Sequence, residues 1–175
     1  MGREARTQAM RFLDARKITY QVHRFPDKIR DAEQVAAALG MRPSQVFKTL
    51  VLLREDAQAA HPLLLMLPAD RQVDLRQFAR AIQVKSVRMA TQNEAEKLTG
   101  LKVGGISALA LLNRPFNVFL DESALAFEQI LISAGQRGVD LQLRVSDLQQ
   151  VTGAEVVRAA RIDVFENGPR SQSPE

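Results

Sequence analysis

Residues 99–107, Thr-Gly-Leu-Lys-Val-Gly-Gly-Ile-Ser, are the most informative stretch of this chain, because three glycines stand between a helical pattern and an apolar run. Glycine adopts a positive φ at little cost and lets a second backbone or a ligand approach closely. The spacing matches neither the phosphate loop, which ends Gly-Lys-Ser/Thr, nor the dinucleotide fingerprint, which follows a strand and opens a helix. Taken alone, the stretch fits a helix cap followed by a tight turn, or a shaped backbone surface.

Two further motifs flank this stretch. Phe-Lys-Thr-Leu occupies residues 47–50, and Ser-Ala-Gly-Gln-Arg-Gly-Val-Asp occupies residues 133–140. In this order and at these separations, the three segments resemble the YbaK/EbsC family, which shares its fold with the editing domain of bacterial prolyl-tRNA synthetases. The likeness runs from about Thr7 to about Ala154, so it covers most of the chain.

Length and composition indicate one ordinary globular domain. The chain has 175 residues, of which 46% are hydrophobic and 25% are charged, and no apolar run approaches the roughly 18 residues that a membrane span needs. Residues 1–16 are charged and do not form a secretory signal. We therefore expect a cytoplasmic protein with an editing domain over residues 1–166 and a disordered tail over residues 167–175.

Charge and residue types restrict the partners. The chain contains no cysteine and only His23 and His61 as histidines, whereas zinc sites need three or four well-placed ligands, so we expect no metal and no cofactor. A net charge of +4 favours a polyanionic partner, and the scarcity of aromatic residues limits base stacking. The resemblance implies the acceptor end of an aminoacyl-tRNA as partner, with prolyl-tRNA synthetase as a second candidate, and neither DNA nor a membrane.

Periodicity predicts strands and helices that alternate along the chain. The strand patterns are residues 18–25, 46–53, 63–67, 84–89, 118–120, 130–133 and 139–143. The predicted helix N-caps are Asp31, Asp74, Thr91 and Ser146, and the predicted C-terminal stops are Gly40 and Gly100. Several strands lie close together with short connections. This favours an α+β fold with a mixed, curved sheet flanked by helices, and the resemblance implies the barrel-like sheet of the YbaK and prolyl-tRNA synthetase editing domains.

Lys48 is the sharpest single candidate for a functional role. It lies in an apolar strand pattern, where an unpaired lysine is costly to bury, and alternation places it on the face of Leu50, opposite Phe47 and Thr49. The residues alone favour a stem that extends to a solvent edge. The resemblance implies that Lys48 lies in the editing pocket and holds the terminal adenosine of the charged tRNA.

The resemblance also implies a full set of site residues. The catalytic positions are Lys48, Gly104, Gly105 and Ser107, with no metal ligands. The substrate-binding positions are Phe25, Thr49, Gly100, Ile106, Ser133, Gly135, Arg137, Gly138 and Asp140. We expect the glycine amides to bind a developing oxyanion, Arg137 to contact phosphate and Asp140 to contact the substrate α-amino group. Without the resemblance, Arg137 and Asp140 fit a solvated turn with a surface ion pair.

Three positions depart from the family pattern. Ala108 replaces the usual proline after Gly-Gly-Ile-Ser, which predicts a less rigid loop. Ala134 replaces the first glycine of a Ser-Gly-Gly turn, and alanine does not adopt a positive φ cheaply. Phe25 replaces a tyrosine after the first strand, so its hydroxyl is lost.

Neither histidine lies in a matched motif, so the chain offers no strong general base. The family's chemistry agrees with this, since the ribose 2′-hydroxyl or the thiol of a cysteinyl substrate supplies the reactive group while the protein positions it. The leading hypothesis is a trans-editing deacylase for Cys-tRNA(Pro). The alternatives are a deacylase for Ala- or Ser-charged tRNA, a non-catalytic RNA-binding or synthetase-associated module, and a small-molecule binder on the same fold.

Overall fold

The computed structural model describes residues 5–57 and 60–161. The helices are α1 (Gln8–Ala15), α2 (Ala32–Leu39), α3 (Leu75–Ala81), α4 (Gln92–Thr99) and α5 (Val145–Thr152). The strands are β1 (Gln21–Arg24), β2 (Phe47–Arg54), β3 (Leu63–Pro68), β4 (Val87–Met89), β5 (Asn117–Asp121), β6 (Gln129–Gln136), β7 (Val139–Arg144) and β8 (Glu155–Val157). The predicted α+β class is confirmed.

The strands form two sheets. A three-stranded antiparallel sheet has the order β1-β7-β6, and a five-stranded mixed sheet has the order β4-β2-β3-β5-β8. In the larger sheet β4, β2 and β3 are antiparallel, whereas β3, β5 and β8 are parallel. An isolated parallel bridge between Val46 and Leu131 links the two sheets at the start of β2.

The five-stranded sheet is buried on both faces at β3, and alternation assigns each side chain to one layer. Leu64 and Met66 pack into the main core together with β6, β7 and α1. Leu63, Leu65 and Leu67 pack on the opposite face, in the cluster that contains Phe78 of α3. This double burial explains why residues 63–67 read as a continuous apolar run rather than an alternating one.

Most predicted helix ends are confirmed. Asp31 accepts the N–H groups of the first turn of α2, Thr91 and Glu94 form a capping box on α4, and Gly40 and Gly100 end their helices in the left-handed conformation. The predicted cap at Ser146 is wrong, because α5 begins at Val145 and its N-cap, Arg144, makes no side-chain cap bond.

Other boundaries differ more. The strand predicted over residues 84–89 is shorter in the structure, where β4 covers only Val87–Met89. Strand β8 was not predicted at all. The predicted tail over residues 167–175 lies outside the described residues. Of the helices in residues 5–57 and 60–161, none has the length and apolar character required to cross a membrane.

Asp121 connects the end of the sheet to the last described segment. Its side chain is 1% exposed, and Oδ1 accepts the N–H groups of both Ala159 and Ala160 at 2.9 Å. Oδ2 accepts the N–H and the hydroxyl of Ser123. Four hydrogen bonds therefore hold the Asp121 side chain in the interior, and such bonds are what allow a carboxyl group to be buried.

We predict that Asp121→Ala lowers the free energy of unfolding by about 2–4 kcal/mol, because it leaves buried N–H groups without acceptors. The measurement is urea unfolding followed by circular dichroism. Asp70→Ala is the matched control, since Asp70 is exposed, and it should change stability by less than about 0.5 kcal/mol. Equal effects of the two substitutions would contradict this account of Asp121.

Candidate functional site

The candidate site is a cavity at the first half of β2. Strand β3 pairs with residues 47–52 of β2, but β4 pairs only with residues 52–54. The edge of β2 at residues 47–50 is therefore not covered by β4, and a cavity of about 360 Å³ opens beside it. Its walls come from β2, the start of α2, the end of β4 with the start of α4, the three-stranded sheet, and residues 100–107, which we call the glycine loop.

The structure brings six of the predicted site residues to this cavity. They are Lys48, Thr49, Gly104, Ile106, Ser133 and Asp140. Ser133 and Asp140 are direct partners across β6 and β7, so their side chains lie on one face of the smaller sheet. Residues separated by as many as 92 positions in the sequence thus line one cavity.

Lys48 is half-buried and lines both the cavity and an adjoining depression, and we call this side of the cavity its mouth. Its Nζ donates one long hydrogen bond, at 3.4 Å, to the carbonyl oxygen of Ala69. No carboxylate among the described residues forms an ion pair with it. The ammonium therefore keeps donor capacity for a ligand, which a lysine paired within the protein would lack.

Two polar side chains in the cavity have no hydrogen-bond partner among the described residues. The hydroxyl Oγ1 of Thr49 is buried and unpaired, and the carboxyl group of Asp140, in a residue 6% exposed, accepts no hydrogen bond. Buried polar groups normally have partners, so unpaired ones point to a ligand or a functional role. The hydroxyl of Ser133 accepts the N–H of Gly135 at 3.2 Å and still has its own proton to donate.

Burial controls the ionisation of Asp140. Desolvation raises the pKa of this carboxyl group from its ordinary value to about 7, and no charged neighbour offsets the effect. Low-dielectric surroundings disfavour the charged form of an acid. Near neutral pH this carboxyl group is therefore present in both its protonated and its ionised form, and such shifted pKa values are typical of functional sites.

The glycine loop forms one wall of the cavity. Gly104 has φ +92, and a Cβ at this position would lie 3.1 Å from the Cβ of Arg30. Gly105 is required by a close backbone contact, because a Cβ added at this position would lie only 2.9 Å from the backbone nitrogen of Arg137. The N–H of Gly105 donates to the carbonyl of Lys102 at 2.8 Å, so the expectation that both glycine amides are free for an oxyanion is wrong for Gly105.

Val103 holds the glycine loop in place through both of its backbone groups. Its N–H donates to Oε1 of Glu96 at 3.1 Å, and its carbonyl accepts from Nε of Arg137 at 2.8 Å. The hydrogen bond from Val103 is the main reason that the pKa of Glu96 is lowered. Arg137 therefore affects the site only indirectly, through the glycine loop. It does not line the cavity, although we expected it to contact phosphate there.

The remaining predicted residues also stay outside the cavity wall. Gly100 is the C-cap of α4, and Ser107 is fully buried with its Oγ accepting the N–H of Leu109. Gly138 accepts the N–H of Phe25 through its carbonyl. The predicted residues that do not line the cavity are Phe25, Gly100, Gly105, Ser107, Gly135, Arg137 and Gly138.

Ala134 does not disturb the site. It is a fully buried residue within β6 and packs in the main core. The positive φ angles of this hairpin fall on Gly135 and Gly138. The expected backbone conflict at Ala134 is therefore wrong, because the chain places its turn glycines at the two positions that need them.

Sequence reasoning missed the walls contributed by the start of α2 and by the end of β4 with the start of α4. Arg30 and Val35 line the cavity from one side, and Met89, Gln92 and Ala95 line it from another. Asp31 also lines it, but its carboxylate caps α2. No motif marks these residues, and their role follows only from how the elements pack. The described residues contain no group of three or more His, Cys, Asp or Glu arranged for a metal ion.

Comparison with known proteins shows which family this chain is similar to. The family model described as "Aminoacyl-tRNA editing domain" matches residues 26–151. A relative from Enterococcus faecalis, named "Putative Cys-tRNA(Pro)/Cys-tRNA(Cys) deacylase EbsC", is 29% identical over 154 residues, which cover 87% of this chain and 92% of the relative.

Two further matches extend the comparison. A crystal structure titled as "a putative trans-editing enzyme for prolyl tRNA synthetase" has a TM-score of 0.75 and 25% identity, covering 89% of this chain and 96% of the other. A proline–tRNA ligase from Aquifex aeolicus is 23% identical over 110 residues, which cover 62% of this chain but only 18% of the ligase.

We predict that the pKa of Asp140 makes stability depend on pH. Between about pH 4 and pH 7 the unfolded chain releases a proton that the native cavity retains. The contribution of this group to the free energy of unfolding therefore falls as the pH rises through that range and is constant above it. Asp140→Asn should remove this slope. The free energy of unfolding of Asp140→Asn, relative to that of the wild type, should rise by up to about 4 kcal/mol between pH 4 and pH 8.

Urea unfolding at several pH values measures this difference, with the exposed Asp70→Asn as control. Stability curves of wild type and Asp140→Asn that run parallel across pH 4–8 would show that Asp140 ionises normally.

Proposed function

The chain belongs to the aminoacyl-tRNA editing domain family, whose members are deacylases acting on the ester bond of mischarged tRNA, and we propose that it removes cysteine from tRNA(Pro) in trans. We also propose that the editing domain extends over residues 1–166 and that prolyl-tRNA synthetase is a partner. A charged tRNA as substrate would place the protein in the cytoplasm.

One observation carries the proposal, namely that an ammonium group with no carboxylate partner among the described residues, an unpaired carboxyl group and a glycine backbone face the same cavity. Lys48 supplies the positive charge, Asp140 the carboxyl group and Gly104 the backbone approach. Neither histidine lines this cavity, and the Nε2 of His23 is hydrogen-bonded to Gln142. The arrangement suits a reaction in which the protein positions and stabilises charge while the substrate supplies the nucleophile.

We assign each residue a role that its surroundings allow. The N–H of Gly104 donates to no acceptor among the described residues and could bind the ester carbonyl oxygen as its negative charge develops. Asp140 would hold the α-ammonium group, and that charge would favour the ionised carboxylate that burial alone disfavours. The hydroxyls of Thr49 and Ser133 would then orient the carbonyl and the side chain of the amino acid.

Cysteine is the preferred amino acid because its side chain carries its own nucleophile. The thiolate sulfur attacks the ester carbonyl carbon, the S–C bond forms as the C–O bond to the ribose breaks, and the thiol proton ends on the ribose oxygen. Water then opens the resulting thiolactone to free cysteine. The pKa of a thiol, about 8.5, lies close enough to neutral pH to supply thiolate, whereas a serine hydroxyl does not ionise there.

We therefore predict that the protein removes cysteine from tRNA(Pro) faster than serine or alanine by at least about tenfold, which corresponds to about 1.4 kcal/mol in the barrier. The measurement is loss of the labelled aminoacyl ester over time on the same tRNA body, with uncatalysed hydrolysis subtracted. Equal rates for cysteine and serine would exclude a role for the thiol. A preference for alanine would assign the chain to a different substrate.

We further predict that Lys48→Met lowers single-turnover deacylation by about 10–1000-fold, because it removes a charge that lies partly shielded from water. Methionine retains an apolar stem of similar length, so the melting temperature should change little. Lys48→Arg should restore only part of the rate, since a planar guanidinium does not replace a compact ammonium in a narrow cavity.

Lys97→Met is the control, because Lys97 is exposed on α4 and should tolerate the same change without loss of rate. Full activity in Lys48→Met would show that Lys48 only extends to solvent. Absence of ester loss in the wild type with every aminoacyl-tRNA would favour the non-catalytic module instead.

A further inference from the structure

A second depression lies on the other face of β2, directly beyond the cavity mouth. Its volume is about 550 Å³, and its lining residues are Lys48, Leu50, Gln72, Val73, Asp74, Leu75, Arg76, Met89 and Arg161. Three of these residues, Lys48, Leu50 and Met89, also line the cavity. The two spaces therefore share a border, and Lys48 stands on it.

This depression continues along α3 into a third one of about 310 Å³. Leu75 and Arg76 line both, and the third depression adds Arg80 and Lys85. We call the second and third depressions together the α3 groove. A continuous surface thus leads from the cavity mouth at Lys48, past Arg76, to Arg80 and Lys85.

The α3 groove is positively charged. Arg76 and Arg80 are one helical turn apart and lie on the same side of α3. Both are exposed, as are Lys85 and Arg161, and none of the four forms an ion pair with a carboxylate among the described residues.

The carboxylates of Asp74 and Asp56, which lie near the groove, already have hydrogen-bond partners within the protein. Asp74 is the one acidic side chain among the groove's described lining residues, and its Oδ1 caps α3 by accepting the N–H of Gln77. Asp56, which accepts the N–H of Lys85, is held by a bidentate bond from Arg54. The free positive charge of the groove is therefore not neutralised from within this part of the protein.

We propose that the α3 groove binds the phosphodiester backbone of the single-stranded 3′ end of tRNA, with Arg76, Arg80 and Lys85 as phosphate contacts. The inference rests on the proposed function, since an ester held in the cavity requires the attached strand to leave through the mouth beside Lys48. Arginine suits phosphate because its guanidinium donates bidentate hydrogen bonds.

The same lining indicates what the groove does not recognise. The residues that line it include no aromatic side chain, so it lacks the platforms on which bases stack. Phosphate contacts position a strand but carry no sequence information. The α3 groove therefore contributes affinity and direction, and discrimination between tRNA species must come from elsewhere.

The test compares two charge-removal variants of the full chain. R76Q/R80Q/K85Q removes three cations from the α3 groove, and R16Q/K17Q/R144Q removes three cations from a polar depression that borders the three-stranded sheet. Binding of deacylated tRNA is measured by fluorescence anisotropy between 50 and 300 mM salt, and thermal melts check folding. The groove variant should bind at least about tenfold more weakly at low salt.

The salt dependence gives a sharper criterion. Loss of three single-strand phosphate contacts should reduce the slope of log affinity against log salt by about 2. The control variant should retain the wild-type slope. A groove variant with the wild-type slope and affinity, or a control variant with the same loss, would overturn the proposal.

A minimal substrate separates this proposal from the proposed function. Cysteinyl-adenosine carries the ester but no phosphodiester, so the groove variant should cleave it at the wild-type rate while losing rate on cysteinyl-tRNA. Equal loss on both substrates would show damage to the cavity and overturn the phosphate assignment. A wild type that cleaves neither substrate would refute the proposed function, while the anisotropy data would still decide whether the groove binds the strand.

Discussion

The short length of β4 is the constraint on which the site depends. Because β4 pairs only with the last three residues of β2, the first half of β2 keeps an edge that no strand of the same sheet covers on that side. Helix α2, the glycine loop and the smaller sheet close around this edge instead and leave a cavity. A longer β4 would continue the ladder along β2 and fill the space in which Lys48 and Thr49 meet Asp140.

Alternation along β2 then directs successive side chains to two different surfaces. Phe47, Thr49 and Val51 face the main core and the smaller sheet, whereas Leu50 and Leu52 pack toward α3. Lys48 belongs to the α3 side but borders both spaces, because it lies where the edge is open. A desolvated compartment and a solvated, basic surface thus lie on opposite sides of a single strand, which separates the environment suited to ester chemistry from the one suited to phosphates.

The sequence predicted elements where the local signal is strong and missed those set by packing. Caps at Asp31, Thr91 and Gly40 depend on interactions within one turn, so residue type is sufficient to predict them. β8 has three residues and pairs in parallel with β5, and such a strand leaves almost no pattern. The motifs located Lys48, Gly104 and Asp140. They did not reveal that Gly105 serves backbone packing or that Arg137 acts through Val103, because a motif records which residues occur together and not which atom each one contacts.

Because Asp140 can gain or lose a proton near neutral pH, the affinity of the cavity for a cationic ligand should depend on pH. An acid with a pKa of about 7 is mostly protonated in mildly acidic surroundings, whereas the bound ammonium group of a substrate would require the ionised form. Binding below neutral pH would therefore release a proton to the buffer, and affinity would fall by nearly tenfold for each pH unit below the pKa, because only the ionised fraction is competent. Acidification of the surroundings would thus weaken capture of an amino acid without altering any contact to the nucleic acid.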